Sequence, residues 1–456
     1  MIDPKTAYVL TVMDTKGKRE NIVYYPHTSR MVWQETGYPI QLANVGLEYF
    51  PRKYQVWNPD VREKWRDIET LKVNVGLGCN LGCTYCSQKT QLADYVNGNP
   101  QAAMRFLTKL PTFFKGGKTG DGEGTRIEFW GGEPFMYFKA ALRTIGSAMR
   151  SAYPKARMNI VTNGTLLTDE IIEWIIATDI SIAISHDGPG YKKNRDKYDP
   201  LEDPEQVKQI RKLYDALREK EYIGFNCVLT RQNPSLNAVR YYIATKLNVP
   251  VQYLPVTTEE ALIPYDEGGL SLSPQNEAEQ RMMMETAFWE AVTGNTTQSQ
   301  TVREKQDDFF QSLRTQRPSN SFGQKCGMDD PRKIAVDLDG NVLTCQNTSG
   351  KNSFNIGHVD KFDEINLHTL HNWQHREECV KCPVVQLCKG ACFFIEDKLW
   401  AQGCDNSFHY NVAMLGAVLH RLTGKLLVNI EAMGNDYIRR PGQKSFKVFE
   451  VENAQA

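Results

Sequence analysis

From residue 71 to about residue 292, short apolar runs suited to strands alternate with longer segments of helical periodicity. That alternation restricts the fold to the α/β class, with a parallel sheet wrapped by helices. The strand-like runs cover 71–78, 126–130, 158–162, 181–185, 223–230 and 251–255, and six of them predict a partial (β/α)6, TIM-like barrel. The helices between them have local support. Thr168 can cap a helix over 169–178 whose first turn is acidic, while Val207, Ile210, Leu213 and Leu217 make one apolar stripe. Met282, Met283 and Met284, in the last helical segment, read as packing residues.

Polar and glycine-rich residues gather just after these strands. Cys79, Cys83 and Cys86 follow the first, Gly131-Gly132-Glu133-Pro134 the second, Asn163-Gly164 the third, and His186-Asp187-Gly188-Pro189 the fourth, with Ser185 ending that strand. In a parallel barrel these strand ends share one face, where active sites are built. Each glycine or proline alone is an ordinary turn residue. Their common position predicts one pocket, and two adjacent glycines allow a ligand to approach the backbone at Gly131 and Gly132.

The first cysteines are spaced C-x3-C-x2-C. Three thiolates so close can hold three corners of a 4Fe-4S cube and leave its fourth iron without a protein ligand. Taken alone they also suit a zinc or ferredoxin-type site. The spacing, with Tyr85 before the last cysteine, resembles the cluster loop of the radical S-adenosylmethionine (SAM) enzymes. In that family the open iron binds SAM and reduces it to methionine and a 5′-deoxyadenosyl radical. The resemblance implies that Gly131, Gly132, Glu133 and Pro134 meet the ammonium of SAM and that Tyr85 lies near its adenine. It also implies that Asn163, Ser185 and Asp187 lie near the ribose or carboxylate. Arg195, after a basic stretch, offers a partner for the SAM carboxylate but reads first as a solvated loop residue.

A second field of seven cysteines follows a polar stretch: Cys326, Cys345, Cys379, Cys382, Cys388, Cys392 and Cys404, with Gly340 five residues before Cys345. It resembles the SPASM extension of radical SAM enzymes, which carries two auxiliary 4Fe-4S clusters. The resemblance implies that Cys379, Cys382, Cys388 and Cys404 complete one cluster and that Cys326, Cys345 and Cys392 hold the other, one cysteine short. A zinc site over 379–404 is the competing reading. His358, His368, His371 and His375 read as polar surface. Cys227, the one cysteine outside both groups, reads as a small buried hydrophobe.

The implied organisation is an N-terminal hairpin-containing extension (1–70), a barrel (71–293), a linker (294–320), a SPASM domain (321–410), and a C-terminal helix and tail (411–456). Within the extension a hairpin is expected over 7–25 and a short helix over 61–69. Basic and acidic residues balance at 54 each, so charge gives no general pull toward nucleic acid, and none is expected as a partner. No apolar run reaches membrane-spanning length and no signal pattern opens the chain, so a cytoplasmic protein without a membrane partner is expected. Eleven cysteines in a reducing compartment favour metal ligation over disulfides.

Three 4Fe-4S clusters and SAM are therefore the expected cofactors. The expected function is modification of a ribosomally made peptide by hydrogen abstraction, ending in an oxidative cross-link, with a flavodoxin or ferredoxin as one-electron donor. The alternatives are a sulfatase maturase, a small-molecule radical SAM enzyme, and a non-catalytic electron carrier. Sulfatase maturases carry an aspartate base after the cysteine that corresponds to Cys345, and here that residue is Gln346.

Overall fold

The computed structural model describes residues 2–94, 98–293 and 300–449. Two sheets organise the chain. The smaller has the order β14-β13-β1-β2-β3, built from β1 (Tyr8–Met13), β2 (Arg19–Tyr25), β3 (Arg30–Trp33), β13 (Leu426–Ala432) and β14 (Ser445–Lys447). The expected hairpin is present. Asp14 accepts from the backbone N–H groups of Lys16 and Lys18, and Gly17 takes the left-handed conformation that the turn requires, at φ +81°. The extension does not stand alone, because β1 pairs with β13 along its whole length.

The larger sheet contains six parallel strands from the 70–261 region: β4 (Thr70–Asn74), β5 (Arg126–Trp130), β6 (Arg157–Thr162), β7 (Ser181–Ser185), β8 (Ile223–Leu229) and β9 (Val256–Ala261). The sixth strand lies later than the sequence suggested. Residues 251–253 form a tight helical turn after Pro250, and Pro255, with no N–H to donate, precedes the ladder that opens at Phe225 opposite Val256. The helix capped by Thr168 runs Asp169–Ala177, and in Pro204–Leu217 the residues Ile210, Leu213 and Leu217 are buried. Met284 joins the core, while Met282 is exposed.

The sheet continues beyond six strands. β10 (Lys333–Asp337) pairs in parallel with β4, and β11 (Asn341–Leu343) and β12 (Asn355–His358) add antiparallel outside it. An otherwise bare edge of β4 is thereby covered. Because Cys326 precedes β10 and Cys345 follows β11, this pairing sets part of the second cysteine field beside the first strand of the barrel.

Three further expectations fail. Residues 61–69 form no helix, because their backbone groups bond elsewhere: Trp65 N–H donates to the Pro331 carbonyl and Glu69 N–H to the Arg332 carbonyl, both at 2.8 Å. The stretch expected as a linker carries the helix Gln300–Thr315, packed through the buried Phe309, Phe310 and Leu313. Residues 294–299 of that stretch and the tail beyond 449 lie outside the described residues. The C-terminal helix begins well before residue 411, spanning Asp397–Thr423 and including Cys404.

Candidate functional site

The Cys79–Cys86 loop leaves β4 through Val75–Gly78, and its position is set by close backbone packing. Gly132 donates to the Gly76 carbonyl at 2.9 Å and Glu133 to the Gly78 carbonyl at 3.0 Å. A Cβ on Gly131 would fall 2.3 Å from the Gly76 oxygen, and one on Gly132 would fall 2.3 Å from the Leu77 oxygen. The two glycines are thus required by the approach of two strand ends. Farther along the loop, Thr84 N–H donates to the Asn194 carbonyl at 2.8 Å, and Gly82 N–H to Asp196 at 3.2 Å.

Glu133 is fully buried and acts as a bracket between strand ends. Its carboxylate accepts from the Asn163 N–H at 2.7 Å, the Thr162 hydroxyl at 2.8 Å and the Phe135 N–H at 3.0 Å. Burial raises its carboxyl to about 7 against these three donors. Pro134 begins the short turn beneath it and is buried. Asn163 faces the cysteine loop, donating to Asn80 at 2.9 Å and making a long 3.9 Å contact with the Cys79 sulfur.

Asp187 is not a free ligand. Its completely buried carboxylate accepts from the Tyr85 hydroxyl at 2.8 Å and the Val228 N–H at 3.0 Å, and it pairs with Arg195 at 3.0 Å. Arg195 is likewise not a solvated loop residue. It is 8 % exposed and lies over the Tyr85 ring at 5.5 Å. Tyr85, Asp187 and Arg195 form one hydrogen-bonded unit that fixes the end of the cysteine loop.

A cavity of about 470 Å³ opens above these strand ends. Its wall includes Cys79, Cys83, Tyr85, Cys86, Gly131, Gly132, Asn163, Ser185 and Arg195. Glu133, Pro134 and Asp187 stand behind that wall and support it. The lining also takes in the second cysteine field, Cys326, Cys345, Cys388 and Cys392, with Gln346, Tyr265 and Phe394. A separate small cavity is lined by Cys379, Cys382, Cys388 and Cys404 together with Trp400, Phe408 and Arg439. Cys388 lines both cavities, but the thiols close enough to act on one another electrostatically group as Cys79, Cys83 and Cys86, as Cys326, Cys345 and Cys392, and as Cys379, Cys382, Cys388 and Cys404.

The chemistry of these sets fits iron–sulfur clusters. All eleven cysteines are free thiols. Burial, with smaller contributions from neighbouring thiols, pushes Cys79 up to about 11 and both Cys83 and Cys326 up to about 12. Cys345, Cys379, Cys382, Cys392 and Cys404 are raised as well, each mainly by burial. Grouped sulfurs that ionise only at a cost are stabilised as thiolates by bound iron. Among the described residues, no group of three or more His, Cys, Asp or Glu side chains is arranged for a single metal ion. Cys227 is 1 % exposed in the core, while His371 and His375 sit at the surface on Glu396 and Asp60.

Sequence reasoning missed Trp130, Tyr265 and Phe394 in the main wall and Arg439 at the second cavity. Trp130 was read only as the last residue of a strand, Arg439 had no motif around it, and Tyr265 lies between the expected elements. Among the described residues, no helix is long and apolar enough to cross a membrane.

Comparison with known proteins agrees with this geometry. Residues 73–234 match the Radical SAM superfamily. Over 219 residues the chain is 24 % identical to the radical SAM cyclopropyl synthase TigE of Paramaledivibacter caminithermalis, covering 42 % of this chain and 45 % of that protein. It thus spans less than half the length of that relative. It is also 24 % identical over 338 residues to a cysteine-type anaerobic sulfatase-maturating enzyme of Clostridium perfringens, covering 69 % of this chain and 86 % of that one. In fold it is similar to the structure described as native anSMEcpe with bound AdoMet and Kp18Cys peptide, with a TM-score of 0.51, 18 % identity, and coverage of 77 % of this chain and 99 % of that one. A parallel sheet that carries three thiols in the loop after its first barrel strand thus coincides with a Radical SAM domain over residues 73–234, in a chain similar to the sulfatase-maturating enzymes.

Proposed function

We propose that the chain modifies a ribosomally made peptide, forming an oxidative cross-link within it. The single observation that carries this reading is the 470 Å³ cavity, whose lining holds cysteines of both fields, Cys79, Cys83 and Cys86 together with Cys326, Cys345, Cys388 and Cys392. A peptide segment seated there meets both fields. In this reading Cys79, Cys83 and Cys86 hold the SAM-binding cluster, Cys326, Cys345 and Cys392 an auxiliary cluster, and Cys379, Cys382, Cys388 and Cys404 another. When bound, the reduced SAM cluster and SAM supply a 5′-deoxyadenosyl radical able to take hydrogen from an unactivated C–H bond.

The protein's own residues position and exclude. Tyr85, Gly131, Gly132, Asn163 and Ser185 offer the surface for SAM, and Glu133, Pro134 and Asp187 hold that surface in place from behind. The apolar part of the lining, Tyr265 stacked on Phe394 at 5.8 Å, limits water around the reacting carbon. Cross-linking removes two hydrogens, so a second electron must leave the substrate, and the auxiliary sets give it a nearby destination. A flavodoxin or ferredoxin is the proposed external donor, and the cytoplasm the proposed compartment. The proposed division keeps 71–293 as the barrel and 321–410 as the auxiliary-cluster region.

Formylglycine formation is the second reading, favoured by the relationship to the sulfatase-maturating enzymes. Against it stands Gln346. It lines the cavity where that chemistry has an aspartate base, and its amide accepts no proton near neutral pH.

The test uses the anaerobically reconstituted chain with SAM, dithionite and a candidate peptide, taken from any short reading frame found beside its gene. Production of 5′-deoxyadenosine, with a peptide lighter by two hydrogens, is the expected result. C79A, C83A and C86A should each abolish deoxyadenosine. Retained cleavage in all three variants rejects the radical-site assignment, and an unchanged peptide mass beside active SAM cleavage rejects the cross-linking assignment.

A further inference from the structure

Arg439 lies in the turn between β13 and β14, outside every cysteine motif, yet its side chain reaches the four-cysteine cavity. One guanidinium nitrogen donates to the Cys404 sulfur at 3.5 Å and to Asp405 at 2.9 Å, and the group lies 3.8 Å over the Phe408 ring. Its backbone N–H donates to the Lys381 carbonyl at 2.7 Å, between Cys379 and Cys382. An ion pair at 2.5 Å between Lys381 and Asp436 ties the same two segments together.

Holding an arginine here is costly in three independent ways. Its side chain is 4 % exposed, its Nε is buried without a hydrogen-bond partner, and its backbone takes the left-handed conformation at φ +59°. Asp405 does not account for this placement. Arg440 already meets the same carboxylate oxygen at 2.9 Å from a position 45 % exposed, where no such cost arises. What the buried position adds is contact with the sulfur set.

We propose that Arg439 is a positioning residue that sets the reduction potential of the centre held by Cys379, Cys382, Cys388 and Cys404. This rests on the reading that those four thiols hold a 4Fe-4S cluster. Each electron added makes such a centre more negative, so a fixed cation bonded to one ligand sulfur stabilises the reduced state more than the oxidised one. The low-dielectric surroundings enlarge that difference. Arginine suits the task because it keeps its charge at every working pH, and one nitrogen with two protons can serve the sulfur and the carboxylate together. The potential of the centre is thereby tied to the small sheet, because the turn that carries Arg439 joins β13 to β14.

The experiment is a redox titration of the anaerobically reconstituted full-length chain, followed by electron paramagnetic resonance, with iron counted in each sample. R439Q should keep its iron while one midpoint potential moves to a more negative value. R439K, which retains charge without the planar donor group, should move it less. R440Q, which alters only the exposed partner of Asp405, should leave it in place. An R439Q protein with full iron and unmoved potentials overturns the inference, as does an equal shift in R440Q. If R439Q loses iron, R439K decides: a smaller negative shift supports the role and an unmoved potential ends it. Failure of the cluster reading looks different. The wild-type chain would then show zinc in place of the iron of this centre, whatever residue stands at 439, and the inference would fall with its premise.

Discussion

Asp187 and Glu133 are the clearest cases of residues whose sequence setting suggests ligands and whose burial makes them struts. Asp187 neutralises Arg195 in a site where neither side chain is more than 8 % exposed. Removing the acid strands a buried guanidinium, at a cost of about 3–5 kcal/mol. We predict that D187A lowers the urea midpoint correspondingly, whereas a variant of full stability with weakened SAM binding alone would restore the ligand role. Glu133 allows a prediction about pH. Its carboxyl is raised to about 7, so between the ordinary value of 4.5 and 7 the folded chain binds this proton more tightly than the unfolded one. Stability from this group is therefore lost as pH rises across that window, by roughly 3 kcal/mol in total. E133Q should flatten that part of the urea-stability profile between pH 5 and pH 7. It should also be less stable below pH 5, since its amide N–H₂ cannot accept from the Asn163 N–H. Parallel profiles for the two proteins would refute the assignment.

At the level of elements, strand pairing joins parts that the sequence seemed to separate. β1 sits between β2 and β13, so the first and last thirds of the chain share a sheet. His27 extends the dependence, with one ring nitrogen 2.7 Å from the Val380 carbonyl, next to Cys379. Deleting residues 1–60 removes three of five strands and this contact. We predict insoluble protein, or soluble protein short of iron in the four-cysteine set, by iron analysis after reconstitution. A soluble truncation with full iron and lost peptide affinity would instead make the segment a recognition module. The central strands were legible because β5 carries Ile127, Phe129 and Trp130 and β7 carries Ile182, Ala183 and Ile184, each followed by a glycine-rich turn. β10 was not, because Lys333–Asp337 lies outside the strand–helix alternation and takes its place by bonding to β4, more than 250 residues earlier, and to β11. The missing helix at 61–69 has the same origin: its hydrogen bonds go to residues 331 and 332, which a local reading cannot see.

For the whole molecule, ten cysteines in three sets predict about twelve irons per chain, falling to about eight when Cys79, Cys83 and Cys86 are all replaced by alanine. Iron and acid-labile sulfide analysis of both proteins checks this, and stoichiometric zinc beside a single cluster's iron would refute it. The cysteines themselves were readable because ligand chemistry depends on residue type and spacing, which the sequence states directly. The class of the sheet was readable too, since apolar periodicity is a local property. Tertiary structure alone decided which side chains face the cavity. Gly132 and Glu133 are neighbours in the sequence, yet one lines the wall and the other braces it from behind, because the approach of Leu77 and Gly78 turns the backbone between them. It also decided that Arg195 is buried and that Arg439 reaches Cys404, for burial and long-range contact are properties of the packed chain. Sequence thus determined the inventory of sulfur ligands and the strand–helix frame, and packing determined their grouping, their charge partners and the cavity they share, since those depend on distances between residues far apart along the chain.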